Sequence, residues 1–227
     1  ACSKRNIKVI PATGANAESV AEYVIGAAVA LTRGFIPATI STLKGEWPRP
    51  RFSSYHEFSG KTIGIVGFGS IGRVVAKKAN AFGLKCIAYD PVLSGNEVTL
   101  EGFQVPLLSL SALLSQSDAV TLHLPLLPET KGLFNKDVLS QMKPGACLIN
   151  TARGGIVDEL ALAACLRSGH LSGAALDVFS SEPAKDLSHL SGIENIILTP
   201  HIAGVTHESN DRVSQMIADE VNLFLGA

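Results

Sequence analysis

A chain of 227 residues with 19 basic and 20 acidic side chains carries no field that would make nucleic acid or an acidic membrane its main partner. Its 46% hydrophobic content and mean hydropathy of +0.28 exclude a disordered chain and suggest one substantial core with strands covered on both faces. The longest apolar stretch, Tyr23 to Leu31, is too short to span a bilayer, the first residues carry no apolar signal core, and Cys2, Cys86, Cys147 and Cys165 form no Cys-x-x-Cys pair, so the expectation is a soluble cytoplasmic protein with buried free thiols.

In chain order, Ile7 to Ile10 reads as a short strand closed by Pro11. Asn16 stands where a cap would, ahead of a helix whose apolar positions Val20, Tyr23, Val24, Ala27 and Leu31 recur at helical spacing. Gly45 to Ser59 holds Trp47, two prolines and three further aromatics, a combination that neither helix nor strand explains. An unstructured loop of about fifteen residues is uncommon inside a compact domain, which favours an arm that wraps a partner subunit over a solvated loop.

The stretch from Lys61 to Gly72 is an apolar strand (Thr62, Ile63, Ile65, Val66) running into Gly67-Phe68-Gly69-Ser70-Ile71-Gly72. Glycines at that spacing between a strand and a helix allow the tight turn, the close backbone approach and the helix–strand packing that a dinucleotide pyrophosphate needs. The helix expected from Ser70 to about Phe82 would aim its free N–H groups and positive dipole end at the phosphates. A strand at Lys85 to Tyr89 ends in Asp90, eighteen residues past Gly72, where an acid can accept hydrogen bonds from a ribose diol. Further strands are expected at 103–105, 119–123, 146–150, 174–178 and 195–198. Helices are expected at 109–115, 136–142 and 159–168, the last capped by Asp158 and stopped by Gly169, with an amphipathic helix through Val213, Met216, Ile217, Val221 and Phe224 at the end. This alternation predicts an α/β fold, a doubly wound parallel sheet of about seven strands with ligands at the strands' carboxyl ends.

Polar residues of special type follow three successive strands: Thr151-Ala152-Arg153, then Asp177 with Glu182-Pro183, then Pro200-His201. An arginine can hold a carboxylate through two parallel hydrogen bonds, a histidine can trade a proton near neutral pH, and a carboxylate beside it can orient it. With a nicotinamide, these suffice to reduce a 2-keto acid. Taken singly each has another reading: Arg153 could cap its strand or pair with Asp158, Asp177 could cap a turn, and Glu182 could be a solvated loop acid.

Five segments carry a resemblance: Val66 to Arg73, His123 to Thr130, Asn150 to Asp158, Ala175 to Phe179 with Glu182-Pro183, and Thr199 to Thr206. Together, in this order and over nearly the whole chain, they resemble the D-isomer-specific 2-hydroxyacid dehydrogenase family. The resemblance implies an NAD-dependent oxidoreductase acting on a small D-2-hydroxy acid or 2-keto acid, with Arg153, Glu182 and His201 as catalytic residues. It implies coenzyme contacts at Gly67, Gly69, Ser70, Ile71, Gly72, Asp90, Leu124, Pro125, Thr151, Ala152, Arg153, Asp177, His201 and Gly204, with Asp177 near the carboxamide, and it implies no metal. Formate-oxidising relatives place glutamine where Glu182 stands, which disfavours formate. Family members carry a further stretch ahead of the position of Ala1 that forms most of a flavodoxin-like substrate domain. Residues 1–227 thus resemble an isolated NAD-binding domain, with residues 16–59 resembling the dimerisation helix and arm of a homodimer, and such a chain alone is expected to bind NADH without turnover.

Other classes find little support. No Gly-x-Ser-x-Gly, no phosphate loop ending in Gly-Lys-Ser/Thr and no His-Glu-x-x-His occurs. The rival is an NAD-sensing dimeric binding module, similar to the corepressor branch of the family, with vestigial catalysis. Phosphoglycerate, hydroxypyruvate, glyoxylate, sulfolactate and lactate types share these motifs, so the choice of substrate stays open.

Overall fold

The computed structural model describes residues 2–5 and 7–226. Helix α1 (Ala17–Thr32) is followed, after a break at Gly34 in the left-handed region (φ 62°), by α2 (Phe35–Leu43) and the four-residue α3 (Arg49–Phe52). Then come β1 (Thr62–Val66), α4 (Ser70–Ala81), β2 (Lys85–Tyr89), β3 (Glu97–Leu100), β4 (Phe103–Pro106), α5 (Leu110–Gln116), β5 (Ala119–Leu122) and α6 (Lys136–Ser140). The chain closes with β6 (Cys147–Asn150), α7 (Glu159–Arg167), β7 (Gly173–Leu176), β8 (Ile196–Leu198) and α8 (His207–Leu225).

Six strands form one parallel sheet in the order β2-β1-β5-β6-β7-β8. Strand order reverses at β1, which has β2 on one side and β5 on the other, so a crevice opens between the carboxyl ends of β1 and β5. Alternate residues point to opposite faces: Ile63, Ile65, Cys147 and Ile149 join the core under α1 and α4, whereas Val66, Val120, Leu122 and Leu148 join the core under α5, α6 and α7. Helices on both faces make this the doubly wound arrangement that the alternation predicts.

Several local expectations are corrected. The strand at Phe103 to Val105 exists, but as half of an antiparallel hairpin with β3, joined to the sheet by an Ala88–Leu107 bridge and by Leu100 and Val105 in the core, so the sheet has six strands and not seven. Residues 7–10 form no strand; Ile7 and Val9 are exposed, and the Lys8 ammonium lies 4.3 Å from the centroid of the Phe224 ring on α8. Within Gly45 to Ser59, for which neither helix nor strand is expected, the short helix α3 forms, with Arg51 paired to Glu194 and Phe52 stacked on Tyr55 at 5.6 Å. Of the four cysteines, only Cys86 and Cys147 are buried, and burial pushes their thiols up to about 11 and about 12; Cys2 is exposed and Cys165 half-buried.

Among the described residues no single helix is long and apolar enough to cross a membrane. The predicted stops and caps form as expected at α7, where the Asp158 carboxylate accepts from Leu160 and Ala161 amides and Gly169 takes φ 75°. Asn16 precedes α1 but its side chain makes no capping bond.

Candidate active site

Three features build an anion cradle at the switch point. Gly67 has φ +95°, and a side chain there would meet the His123 carbonyl oxygen at 2.6 Å, so the β1 turn can lie against the end of β5 only without one. A side chain at Gly72 would strike the Gly67 carbonyl, which is how the start of α4 packs onto the turn. Gly69, by contrast, faces open space, and the first amides of α4 follow it. Asp90 does more than its spacing suggested. One carboxylate oxygen accepts the Phe68 amide at 2.7 Å and the other the Val92 amide at 2.9 Å, so this acid fastens the glycine turn to the end of β2. Each oxygen keeps a lone pair for a hydroxyl donor.

Across the crevice, a cleft of about 500 Å³ is lined by Ser70, Ile71, Leu124, Pro125, Thr151, Ala152, Arg153, Asp177, His201 and Gly204. The structure therefore brings the expected residues from five connections onto one sheet edge. Gly67, Gly69, Gly72 and Asp90 lie along the same edge toward β2, outside this cleft. Thr13, Asn16, Val20, His123 and Val205 also line it and went unforeseen. Asn16 looked like a helix cap, and instead lies against Gly204, where a side chain would collide with its amide. His123 looked like the last residue of a strand; its Nε2 meets the Thr121 hydroxyl at 3.0 Å, and desolvation pushes the imidazole down to about 3, so it is neutral.

Thr151 supplies a test of fit for a ligand. It is only 9% exposed, and its hydroxyl, at the edge of the cleft, has no hydrogen-bond partner in the protein. A buried hydroxyl without a partner is costly, so a polar group of a bound ligand is what completes it. The anion cradle, the Asp90 lone pairs and this orphaned hydroxyl together fit a dinucleotide.

Asp177, 1% exposed, is the hub of the β8 loop. Its Oδ1 accepts from the Thr199 hydroxyl (2.6 Å) and the Ile202 amide (2.8 Å), its Oδ2 from the Ala203 amide (2.8 Å), and its carbonyl from the His201 amide (2.8 Å). The turn-capping reading of this residue is thus realised within the cleft itself. The Thr199 hydroxyl also meets Tyr23 Oη of α1 at 2.6 Å; burial, first, raises the Tyr23 pKa. So anchored, His201 adopts φ 59°, a left-handed conformation uncommon for a residue with a side chain.

That conformation presents Nδ1 of His201 to Glu182 Oε2 at 2.7 Å. Oε1 of Glu182 accepts the Phe179 amide at 3.0 Å. Burial pushes the Glu182 carboxyl up, but the Phe179 amide, the His201 hydrogen bond and the positive charges of His201 and Arg153 outweigh it, and the pKa falls below the ordinary carboxylate range. Arg153 does not pair with Asp158, which is occupied capping α7; its Nη1 donates to the Ala152 carbonyl at 2.6 Å, and Asn150 donates to the Arg153 carbonyl at 3.1 Å. A side chain at Gly154 would collide with the Phe179 carbonyl, so the Arg153 and Glu182 loops are pressed together. A guanidinium, an oriented imidazole and a carboxylate thus stand along the sheet edge that carries the glycine turn.

Comparison with known proteins gives the same picture. The D-isomer specific 2-hydroxyacid dehydrogenase NAD binding domain matches residues 25–203. The (S)-sulfolactate dehydrogenase of Chromohalobacter salexigens is 49% identical over 100% of this chain and 72% of its own length. The D-3-phosphoglycerate dehydrogenase of Mycobacterium leprae is 40% identical over 99% of this chain, which spans 42% of that relative. Among solved structures, the NAD-dependent formate dehydrogenase from Staphylococcus aureus in complex with NAD superimposes with a TM-score of 0.86 at 37% identity, over 99% of this chain and 66% of that one. The matched family domain is an NAD-binding one. A glycine cradle at the switch point, a matching family signature over most of the chain and relatives aligned along its whole length lead to one assignment: the chain belongs to the D-isomer-specific 2-hydroxyacid dehydrogenases, through their NAD-binding domain.

Proposed function

We propose that this chain carries the coenzyme site and the acid–base machinery of an enzyme that interconverts a small D-2-hydroxy acid and its 2-keto acid. The observation that carries the reading is the 2.7 Å contact between His201 Nδ1 and Glu182, set at the sheet edge beside the cleft. With Glu182 ionised, the Nδ1–H of His201 donates a hydrogen bond to the carboxylate, leaving Nε2 as the atom that gives a proton to the substrate carbonyl oxygen, or takes one from the hydroxyl. Arg153 holds the substrate carboxylate and turns the carbonyl toward His201. The first amides of α4, Asp90, Thr151 and the Asp177 loop hold NAD, which when bound supplies or accepts the hydride. The relatives named are dehydrogenases, and no observation favours the corepressor-like alternative. Glu182 argues against formate, even with a formate dehydrogenase among the similar structures. Sulfolactate leads the substrates to be tried, since the 49% identical relative is named for it.

Residues 1–227 as one coenzyme domain contain the cradle but only one wall of a substrate crevice. Proximity and exclusion of water supply on the order of 7–11 kcal/mol of such barriers. Titration of the 227-residue chain with NADH should therefore saturate, while NADH oxidation with sulfopyruvate, hydroxypyruvate or glyoxylate stays at background. In the same titration NADPH should bind more than a hundredfold more weakly. Its extra phosphate would face Asp90, and two unit charges about 4 Å apart repel by about 4 kcal/mol at an effective dielectric of 20. Pro91, Val92 and Leu93 offer no cation, and the Arg73 guanidinium lies over the Phe68 ring, 5.3 Å from its centroid. Equal NADH and NADPH affinities would remove the role given to Asp90, and robust turnover would show that the substrate-binding groups are misplaced.

The pairing reading for residues 16–59 is a two-fold homodimer. Leu43 and Trp47 are 82% and 81% exposed, with Phe35 and Ile40 also bare on α2. Apolar side chains left in solvent on one short segment are what a second copy would cover. Sedimentation at micromolar concentration should give about twice the mass of one chain, 23.8 kDa, and Trp47→Glu should halve it. A compact monomer for the unsubstituted chain would end this reading.

A further inference from the structure

The acid at the first position of α7 has no ordinary reason to be where it is. An acid in a helix's first turn usually answers the dipole and the orphan amides, yet Asp158 already takes the Leu160 and Ala161 amides. Glu159 turns away instead, with its side chain 14% exposed, and reaches the loop that carries Glu182. Oε1 of Glu159 accepts both the Ser180 amide at 2.8 Å and the Ser180 hydroxyl at 2.7 Å, and Oε2 meets His189 Nε2 at 3.1 Å. The amide one residue earlier, Phe179, donates to Glu182. Two successive N–H groups are thus divided between two carboxylates, one fixing the loop to α7 and the other fixing Glu182 to the loop. At the other end of α7, Arg167 donates to the His189 and Ser191 carbonyls at 2.7 and 3.3 Å, so the helix holds the β7–β8 connection at both of its ends.

We propose that Glu159 is a positioning residue for the acid–base pair, a clasp that keeps the Phe179–Glu182 turn in the one shape that points the Glu182 carboxylate at His201. The inference rests on the assignment of Glu182 and His201 as the acid–base pair, but its geometry can be tested without turnover. The β6–α7 connection carries Arg153 and runs into Glu159 at the start of α7, so the clasp also sets the spacing between the Arg153 loop and the Glu182 loop, which touch at Gly154. The charged groups that face Glu182 are His201 and Arg153, and the titratable group that faces Glu159 is His189.

The test is carboxyl-carbon NMR titration of Glu182 in the NAD-binding chain. Glu159→Ala should let the Phe179 amide leave Glu182, so that the Glu182 titration moves up toward the ordinary carboxylate range, whereas Glu159→Gln, whose amide oxygen can still accept both Ser180 donors, should leave it where it is in the unsubstituted chain. A Glu182 titration that does not move in a folded Glu159→Ala chain overturns the clasp. If Glu159→Ala does not fold, hydrogen exchange in the unsubstituted chain decides: the Ser180 amide should be protected, and exchange at the rate of a free peptide overturns the proposal. In a protein extended to the relatives' length, Glu159→Ala should lower kcat tenfold or more with NADH affinity kept and Glu159→Gln restoring most of it. Unchanged turnover in Glu182→Gln would remove the catalytic reading while leaving the clasp, measured by titration, standing.

Discussion

His201→Gln, made in a protein extended to the length of its relatives, should lower kcat by about 10²–10⁴-fold with NADH affinity nearly unchanged, because general acid–base transfer contributes on that order and glutamine has no proton to trade. Arg153→Ala should differ in kind, raising KM for the keto acid as well as lowering kcat. Glu182→Gln should chiefly move the pH profile toward acid, since the imidazolium loses its carboxylate partner. The sign follows from the lowered Glu182 pKa. Its stabilisation of the charged pair is present above the ordinary value of 4.5 and is lost as pH falls through the depressed value, so across the acid limb His201 keeps an ionised neighbour. A pH profile identical in Glu182→Gln and the parent would take Glu182 out of the mechanism.

Asp177→Ala should destabilise the chain by about 3–5 kcal/mol in urea unfolding, near the upper end for a single substitution. The carboxylate satisfies the Thr199 hydroxyl and the Ile202 and Ala203 amides, and leaving buried donors without acceptors costs about 1–3 kcal/mol each. Asp177→Asn should lose less, since one acceptor oxygen remains while its NH₂ faces donors. Both variants should weaken NADH binding, because the loop that lines the cleft loses its anchor. Stability within 0.5 kcal/mol of the parent, about the spread of ordinary surface changes, would mean that the three bonds are not what holds the loop.

What could be read from the sequence follows from how local each signal is. The glycine turn, the β2 end at Asp90, the α7 cap at Asp158 and its stop at Gly169 are written in neighbouring residues, and all form where expected. Helix α2 is not among the expected elements; Pro37 sits in its first turn, where proline is tolerated, and Gly34 separates it from α1. The strand expected at Ile7 to Ile10 had the right alternation and no neighbour in the sheet to pair with. At the site, the residues were legible by type and place, but not their bonds. Glu182 and His201 stand 19 residues apart, and Asp177 meets donors 22 to 26 residues away. Ser180 meets Glu159 across 21 residues. Such contacts are set by which strand ends the sheet makes adjacent, and no periodicity encodes them.

The hydrogen bonds that run from Tyr23 through Thr199 to Asp177 and on to the amides of 201–203 also have an entropic meaning. A loop ordered only when its ligand arrives loses about 0.5–1.5 kcal/mol of affinity for each side chain it must immobilise. Here the backbone of His201, including its left-handed turn, is already held by groups of the body of the protein, so that loss belongs to folding and not to ligand binding. In the role proposed for His201, substrate would meet an imidazole whose direction is decided beforehand, and the binding energy of a carboxylate on Arg153 would be left for aligning the carbonyl.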